Sequence, residues 1–266
     1  LSIEQLILVA IVQGITEFLP ISSSGHLILL PSLTGSQDQG QVIDVAVHVG
    51  TLLAVCLYLW REVVQMIAGT LRGLRGRRDP GFRMALQIVL ATIPIVGAGY
   101  VLKEVYGGMP RSAEIVAWAT LGFGIVLGIA DRVGMTIRRI EHMGYGEALV
   151  IGVAQVLALI PGTSRSGITM TAARMLGYER QEAARFSMLL GIPTILAAGI
   201  LVSLDLYESG DVALTMDALI AGGLAFVAAL ISIFAMMGWL KRASFLPFVL
   251  YRIALGGGLL IWIYTG

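Results

Sequence analysis

The sequence predicts an all-α polytopic membrane protein, with six transmembrane helices plus two re-entrant helical hairpins in an inverted repeat. Three observations predict it. The 266 residues are 57% hydrophobic and only 13% charged, with a mean hydropathy of +0.86, whereas soluble domains are about half apolar and about a quarter charged. Six segments are long and apolar enough to span a bilayer, which takes ~20 residues of helix. Two further apolar segments are each interrupted at their centre by a polar, proline-containing stretch.

The spans are expected at roughly 42–67, 84–105, 113–133, 185–206, 216–239 and 245–264. Pro94 and Pro193 are expected to kink two of them. The first interrupted segment, 3–31, carries Glu17, Pro20, Ser22, Ser23, Ser24 and His26. The second, 147–176, carries Pro161, Thr163, Ser164, Arg165 and Ser166. Each reads as half-helix, polar break, half-helix. Such backbone survives at membrane depth only where it is buried in protein or lines a wet cavity.

The two interrupted segments resemble each other. Displacement by 142 residues aligns Gln13 with Gln155, Ser22 with Ser164, Ser24 with Ser166 and Gly25 with Gly167. Pro20 and Pro161 fall one residue out of that register. Leu121–Ile129 also resembles Leu255–Ile263. The chain therefore divides into repeat one, about 1–133, and repeat two, about 134–266, within one integral membrane domain spanning 1–266.

Basic residues set the expected orientation. Arg72, Arg75, Arg77, Arg78 and Arg83 cluster between spans one and two, and Arg132, Arg138 and Arg139 follow span three. Arg174, Arg180 and Arg185 precede span four, and Lys241 and Arg242 separate spans five and six. The opposite loops hold Lys103, Glu104 and Arg111, then Asp205, Glu208 and Asp211. The positive-inside rule places the arginine-rich loops in the cytoplasm and both termini outside. The two hairpins then open to opposite sides, and their tips form the site. The N-terminus lacks a basic region followed by a small-residue cleavage site, so it is read as part of the mature chain. The net charge of +1 implies no nucleic-acid partner. The lone Cys56 lies in an apolar run and reads as a packing residue.

Gln13 and Glu17 share a helix face that Pro20 then terminates. A carboxylate at membrane depth costs roughly 2.5–3.5 kcal/mol on insertion scales, which makes it a functional candidate; the alternative is a carboxylate satisfied by hydroxyls or arginine. Ser22, Ser23, Ser24 and Gly25 then offer hydroxyls and free N–H groups at a helix start, a suitable place for an anion. Arg165, among Thr163, Ser164, Ser166 and Thr169, suits bidentate phosphate binding or an internal salt bridge to Glu17. The combined inventory suits a phosphorylated ligand with a divalent cation bridging carboxylate and phosphate. His26 closes the first turn as a candidate acid, base or nucleophile. Asp44 and His48 share a face of span one, where they either line the site or cap the helix. His142 is expected to be solvated.

These residues carry a family resemblance. Gln13-x-x-x-Glu17, Phe18-Leu-Pro-Ile-Ser-Ser-Ser-Gly-His26, Pro161-Gly-Thr-Ser-Arg-Ser-Gly-Ile-Thr169 and Phe245-Leu-Pro-Phe-Val-Leu-Tyr-Arg252 resemble the signatures of the undecaprenyl-diphosphatase family, the bacitracin-resistance proteins of bacterial inner membranes. The resemblance covers nearly the whole chain. It implies hydrolysis of undecaprenyl diphosphate to the monophosphate and phosphate, dependence on a divalent cation (Mg or Ca), and a site facing the periplasm. Membrane lipids surround such a protein, bacitracin competes for its substrate, and a second copy of the chain is a candidate partner. Carried over by motif, Glu17, Ser22, Ser23 and His26 correspond to functional residues of the first signature, and Ser164, Arg165 and Thr169 to those of the second. The family allows glutamate or glutamine at the position of Gln13, which moves the acid role onto Glu17.

The resemblance leaves two questions open. Type-2 phosphatidic acid phosphatases also carry Ser-Gly-His and Ser-Arg elements, but they need a second histidine shortly after the latter. No histidine follows Arg165 here, so the nucleophile is Ser23, His26 or a metal-activated water. The expected arrangement has Ser23 attacking with His26 as proton shuttle, and the reverse stands beside it. Glu17, helped by Gln13, binds the cation or activates the nucleophile; Ser164, Arg165 and Thr169 hold the phosphates, with Ser22, Ser24 and Ser166 nearby. The competing function is transport of undecaprenyl phosphate, alone or beside hydrolysis, because paired hairpins in an inverted repeat are a transporter architecture.

Overall fold

The computed structural model describes residues 2–35, 39–107, 109–110, 112–209 and 212–265, with the helical backbone only for 32–33, 106, 197–209 and 212–213. Its regular structure among these residues is eleven α-helices: α1 (Ile3–Thr16), α2 (Ser23–Thr34), α3 (Gly40–Tyr58), α4 (Trp60–Gly73), α5 (Pro80–Tyr106), α6 (Ala113–Val133), α7 (Tyr145–Gln155), α8 (Arg165–Met175), α9 (Arg180–Ser209), α10 (Val212–Leu240) and α11 (Leu246–Thr265). Two short 3-10 turns, Ile140–His142 and Val156–Leu159, flank α7.

Among the described residues, five helices are long and apolar enough to cross a membrane: Gly40–Tyr58, Pro80–Val105, Ala113–Val133, Leu214–Leu240 and Leu246–Thr265. They match five of the expected spans with one correction. The expected span 42–67 is two helices, because the chain breaks at Leu59 (φ −100°, ψ 29°). The following α4 exposes Trp60, Val64, Ile67 and Leu71 as a stripe, the face an interfacial helix presents to lipid. The expected span 185–206 lies within helical α9, but its side chains from 197 onward lie outside the described residues. The two interrupted segments form the short pairs α1–α2 and α7–α8.

Sequence explains the ends. The Ser2 hydroxyl accepts from Gln5 N at 3.2 Å to cap α1. Asp79 caps α5 through Gly81 N at 2.8 Å, with Pro80 at the first helical position. The Arg72 side chain hydrogen-bonds Asp79 and holds its carboxyl below the usual range.

α3 packs on α9 and α10, and α6 packs on α8 and α11. α1 lies against α10 as α7 lies against α5. The largest core cluster joins Phe18 and Leu52 to Leu127, Met170, Phe186 and Ile233, so both short pairs are buried against long helices. At the arginine-rich end, Arg174 is not the loop residue expected. It lies in α8, fully buried, with Nε 3.1 Å from Asp131 Oδ1 and its other N–H groups on carbonyls of Asp131, Gly134, Met135 and Tyr178. Arg180 donates to the same Asp131 oxygen at 2.7 Å, and Phe245 N donates to Asp131 Oδ2 at 3.1 Å. One aspartate thus ties α6, α8, α9 and the start of α11 together.

Candidate active site

Two tight turns build the site. Pro20 cannot continue α1, since it lacks an N–H and restricts the residue before it. The chain then turns through Ser22 at φ 74°. The Ser22 hydroxyl accepts from Gly25 N at 3.3 Å and starts α2. In the second turn Pro161 and Gly162 lead to Ser164 at φ 72°, whose hydroxyl accepts from Gly167 N at 3.0 Å and starts α8. Among the described residues, Ser22 and Ser164 are the two non-glycine positions with positive φ. They are also a pair that the sequence displacement aligns. Left-handed backbone at a residue with a Cβ costs about 1–2 kcal/mol, and such strain concentrates at functional sites. Each serine has a hydroxyl neighbour two residues on, Ser24 at 3.4 Å and Ser166 at 3.1 Å.

The two turns meet. Arg165 Nη2 donates to Glu17 Oε1 at 2.9 Å, and the Ser166 hydroxyl donates to the Leu19 carbonyl at 2.9 Å. Glu17 Oε2 accepts from the Ser23 hydroxyl at 2.6 Å and from Gln13 Nε2 at 2.9 Å. His48 Nε2 stands 3.5 Å from the same oxygen. His48 Nδ1 lies 2.6 Å from the Asp44 carbonyl. A carbonyl only accepts, so Nδ1 carries hydrogen and Nε2 is the nitrogen turned to the carboxylate. Glu17 is only 6% exposed, and these donors and the arginine are what make its burial affordable.

A cavity of about 440 Å³ opens beside this cluster. Glu17, Ser23 and Ser24 line it from the first turn, Ser164 and Arg165 from the second, and Gln39, Asp44 and His48 from α3 and its approach. Gln39 Nε2 donates to Asp44 Oδ1 at 2.7 Å. Five of the expected site residues therefore share one cavity wall.

Other expected site residues do not line that cavity. His26 Nδ1 is 2.6 Å from the Ser22 carbonyl and Nε2 is 2.6 Å from Tyr251 Oη, with the two rings stacked at 5.7 Å. Both of its nitrogens are thus engaged away from Ser23. Ser22 and Ser166 serve the turns as described. Thr169 donates to the Ser187 hydroxyl at 2.7 Å and is not among the residues lining the cavity. Gln13 is fully buried and acts on Glu17 alone, with its Oε1 unpaired.

Sequence reasoning gave no role to Arg252. Fully buried in α11, it donates Nε to Thr120 O at 3.0 Å, Nη1 to Pro20 O at 3.2 Å, and Nη2 to Gly162 O at 3.1 Å and Thr163 O at 2.9 Å. One guanidinium therefore pins both turns through their carbonyls. The signal was available, since an arginine inside an apolar span is costly and marks a function. Asp44 and His48 were recognised as a pair without a role, and here both line the cavity.

Among the described residues, no group of three or more His, Cys, Asp or Glu gathers as a metal cage. Two carboxylates, Glu17 and Asp44, nevertheless line one cavity. That set fits a hard cation which takes one or two carboxylates and completes its shell with substrate phosphates.

Comparison with known proteins agrees with this chemistry. Residues 6–258 match the family described as Bacitracin resistance protein BacA. Undecaprenyl-diphosphatase 1 of Rhodospirillum rubrum is 52% identical over 269 residues, covering 98% of this chain and 95% of that protein. Undecaprenyl-diphosphatase of Ruegeria pomeroyi is 52% identical over 260 residues, covering 96% and 97%. That of Jannaschia sp. is 51% identical over 268 residues, covering 100% of both chains.

Proposed function

We infer the activity from one premise: this chain belongs to the bacitracin resistance protein family BacA, with full-length relatives that are undecaprenyl-diphosphatases. It is a multi-pass membrane enzyme that hydrolyses undecaprenyl diphosphate to undecaprenyl phosphate and phosphate, recycling the lipid carrier of cell-wall synthesis. The observation that carries this reading is the Ser23 hydroxyl, hydrogen-bonded at 2.6 Å to a carboxylate that is itself paired with Arg165 on a cavity wall. Transport of the lipid phosphate without hydrolysis finds no support among these relatives.

In the proposed mechanism Ser23 Oγ attacks the terminal phosphorus as its proton passes to Glu17 Oε2. The bridging P–O bond breaks and the prenyl monophosphate leaves. Water then attacks the phosphoserine, releasing phosphate. Arg165 and the Ser24 and Ser164 hydroxyls stabilise the charge on the phosphoryl oxygens, the dominant contribution in such transfers. His48 takes the relay place that sequence assigned to His26, because it faces Glu17. Glu17, with Asp44, would hold a Mg or Ca ion, which supplies positive charge to the phosphates when bound.

The same reading gives the chain six spans and two re-entrant hairpins, with repeats near 1–133 and 134–266. It is supported by the matched strain at Ser22 and Ser164 and by the reciprocal packing of α1 on α10 and α7 on α5. The arginine-rich ends are then cytoplasmic, and the termini and cavity face the periplasm of a bacterial inner membrane. Bacitracin, by sequestering the lipid diphosphate, would compete for the substrate.

The test is phosphate release from undecaprenyl diphosphate by the purified protein, with and without a chelator. Release that stops on chelation and returns with Mg or Ca is expected. No release with any divalent cation overturns the enzyme reading.

A further inference from the structure

We propose that the groove between α3 and α10 seats the first isoprene units of the substrate and so sets the orientation of its diphosphate. This rests on the hydrolase reading above. The groove encloses about 510 Å³, and every residue lining it except Thr215 is apolar. Two helical stripes form it, Val45, Ala46, Val49 and Leu53 on α3 facing Leu219 and Gly223 on α10. Val42 to Leu53 spans about 16 Å at 1.5 Å rise per residue.

Continuity with the active cavity identifies the occupant. Val45 lines both spaces. Its neighbours Asp44 and His48 face the polar cavity, whereas Ala46 and Val49 face the groove. One helix therefore presents a head-group wall and a tail wall about 150° apart, with Val45 between them. A prenyl diphosphate has that division, a charged head joined directly to an apolar chain. Leu53 and Leu219 are 57% and 66% exposed, so the far side of the groove is open for a chain entering from lipid.

The groove's floor is fixed by backbone contact. A Cβ on Gly50 would stand 2.0 Å from the Gly222 carbonyl oxygen, so α3 and α10 touch there with no side chain between them. At Gly223 a Cβ would meet nothing within 4 Å, so a side chain added there enters the groove. A tail moving from lipid to protein leaves one apolar medium for another and gains little hydrophobic energy. The groove's contribution is therefore orientation, expressed as preference for a long chain.

The test compares kcat/KM for undecaprenyl diphosphate and dimethylallyl diphosphate in wild type, Gly223→Trp and a control, Gly238→Trp. Gly238 is on the same helix, outside the groove, and its Cβ also meets nothing. Gly223→Trp is expected to lower the long-to-short ratio at least about tenfold, equivalent to about 1.4 kcal/mol, while Gly238→Trp preserves it. An unchanged ratio in folded Gly223→Trp overturns the proposal. Should that variant not fold, wild-type protein is photolabelled with a prenyl diphosphate carrying a diazirine on an early isoprene. Label on the Leu219–Phe226 peptide, competed by undecaprenyl phosphate, supports the groove. Label elsewhere, or label there that is not competed and so reports bulk lipid, overturns it. Failure of wild type to release phosphate from either substrate would instead be failure of the hydrolase reading.

Discussion

Arg165 and Glu17, 148 positions apart in sequence, are joined by a 2.9 Å ion pair with side chains only 13% and 5% exposed. Each comes from a broken helix that could not stand alone in lipid. The pair is the point at which two halves of the chain become one site. In the proposed mechanism it also sets a balance, because an incoming phosphate would compete with Glu17 for the guanidinium while Glu17 keeps Ser23 and His48 as neighbours.

Removing the base should stop turnover without unfolding the protein. Glu17→Gln keeps the shape and one acceptor for Ser23 but cannot take its proton. Phosphate release should fall on the order of 10²–10⁴-fold, the usual range for a positioned acid or base. Thermal unfolding in detergent checks that the fold persists.

The guanidinium should be sensitive to its packing as well as its charge. Arg165→Ala should lower kcat by about 10²–10³-fold, as loss of an anion-stabilising donor does. A Cβ on Gly191 would stand 2.2 Å from Arg165 Nη1. Gly191→Ala should therefore reduce activity by displacing the guanidinium, although alanine favours a helix by about 1 kcal/mol. Steady-state kinetics beside a melting curve separates the two effects.

Arg252→Met should destabilise the protein before it affects chemistry. It takes the Arg252 donor from the carbonyls of Thr120, Pro20, Gly162 and Thr163, of which Gly162 keeps the Thr120 hydroxyl at 3.3 Å, and each buried group left unsatisfied costs about 1–3 kcal/mol. Denaturant titration in micelles should show a large loss of stability. Wild-type stability in the variant would mean that the turns hold without this pin.

The two histidines should separate. Tyr251→Phe removes the hydrogen bond to His26 Nε2 and should change kcat no more than about fivefold, the worth of one ordinary hydrogen bond. His48→Gln should lower kcat by about 10²-fold or more, the lower end of what a positioned acid or base contributes, because the ring facing Glu17 is lost. The opposite ranking would return the relay to His26.

Much of this was legible in sequence, and its failures have physical causes. Hydropathy located five spans because crossing a bilayer imposes length and composition directly. It joined α3 to α4 because the break at Leu59 is a backbone bend inside an apolar run, with no proline or glycine to mark it. The polar turns were legible because hydroxyls, proline and ionisable groups at depth have few uses. Which face each hydroxyl presents was not. Ser166 and Thr169 share a motif with Ser164 and Arg165, yet they point to a carbonyl and a serine. The engagement of His26 with Tyr251 was not legible, because the two residues are 225 positions apart.

The most direct test is a single-turnover reaction with undecaprenyl diphosphate labelled in the terminal phosphate, quenched in acid and mapped by mass spectrometry. The account predicts a phosphorylated Ser23 in wild type and none in Ser23→Ala or Glu17→Gln. Phosphate on His26, or full turnover with no phosphoenzyme at any time, would contradict it.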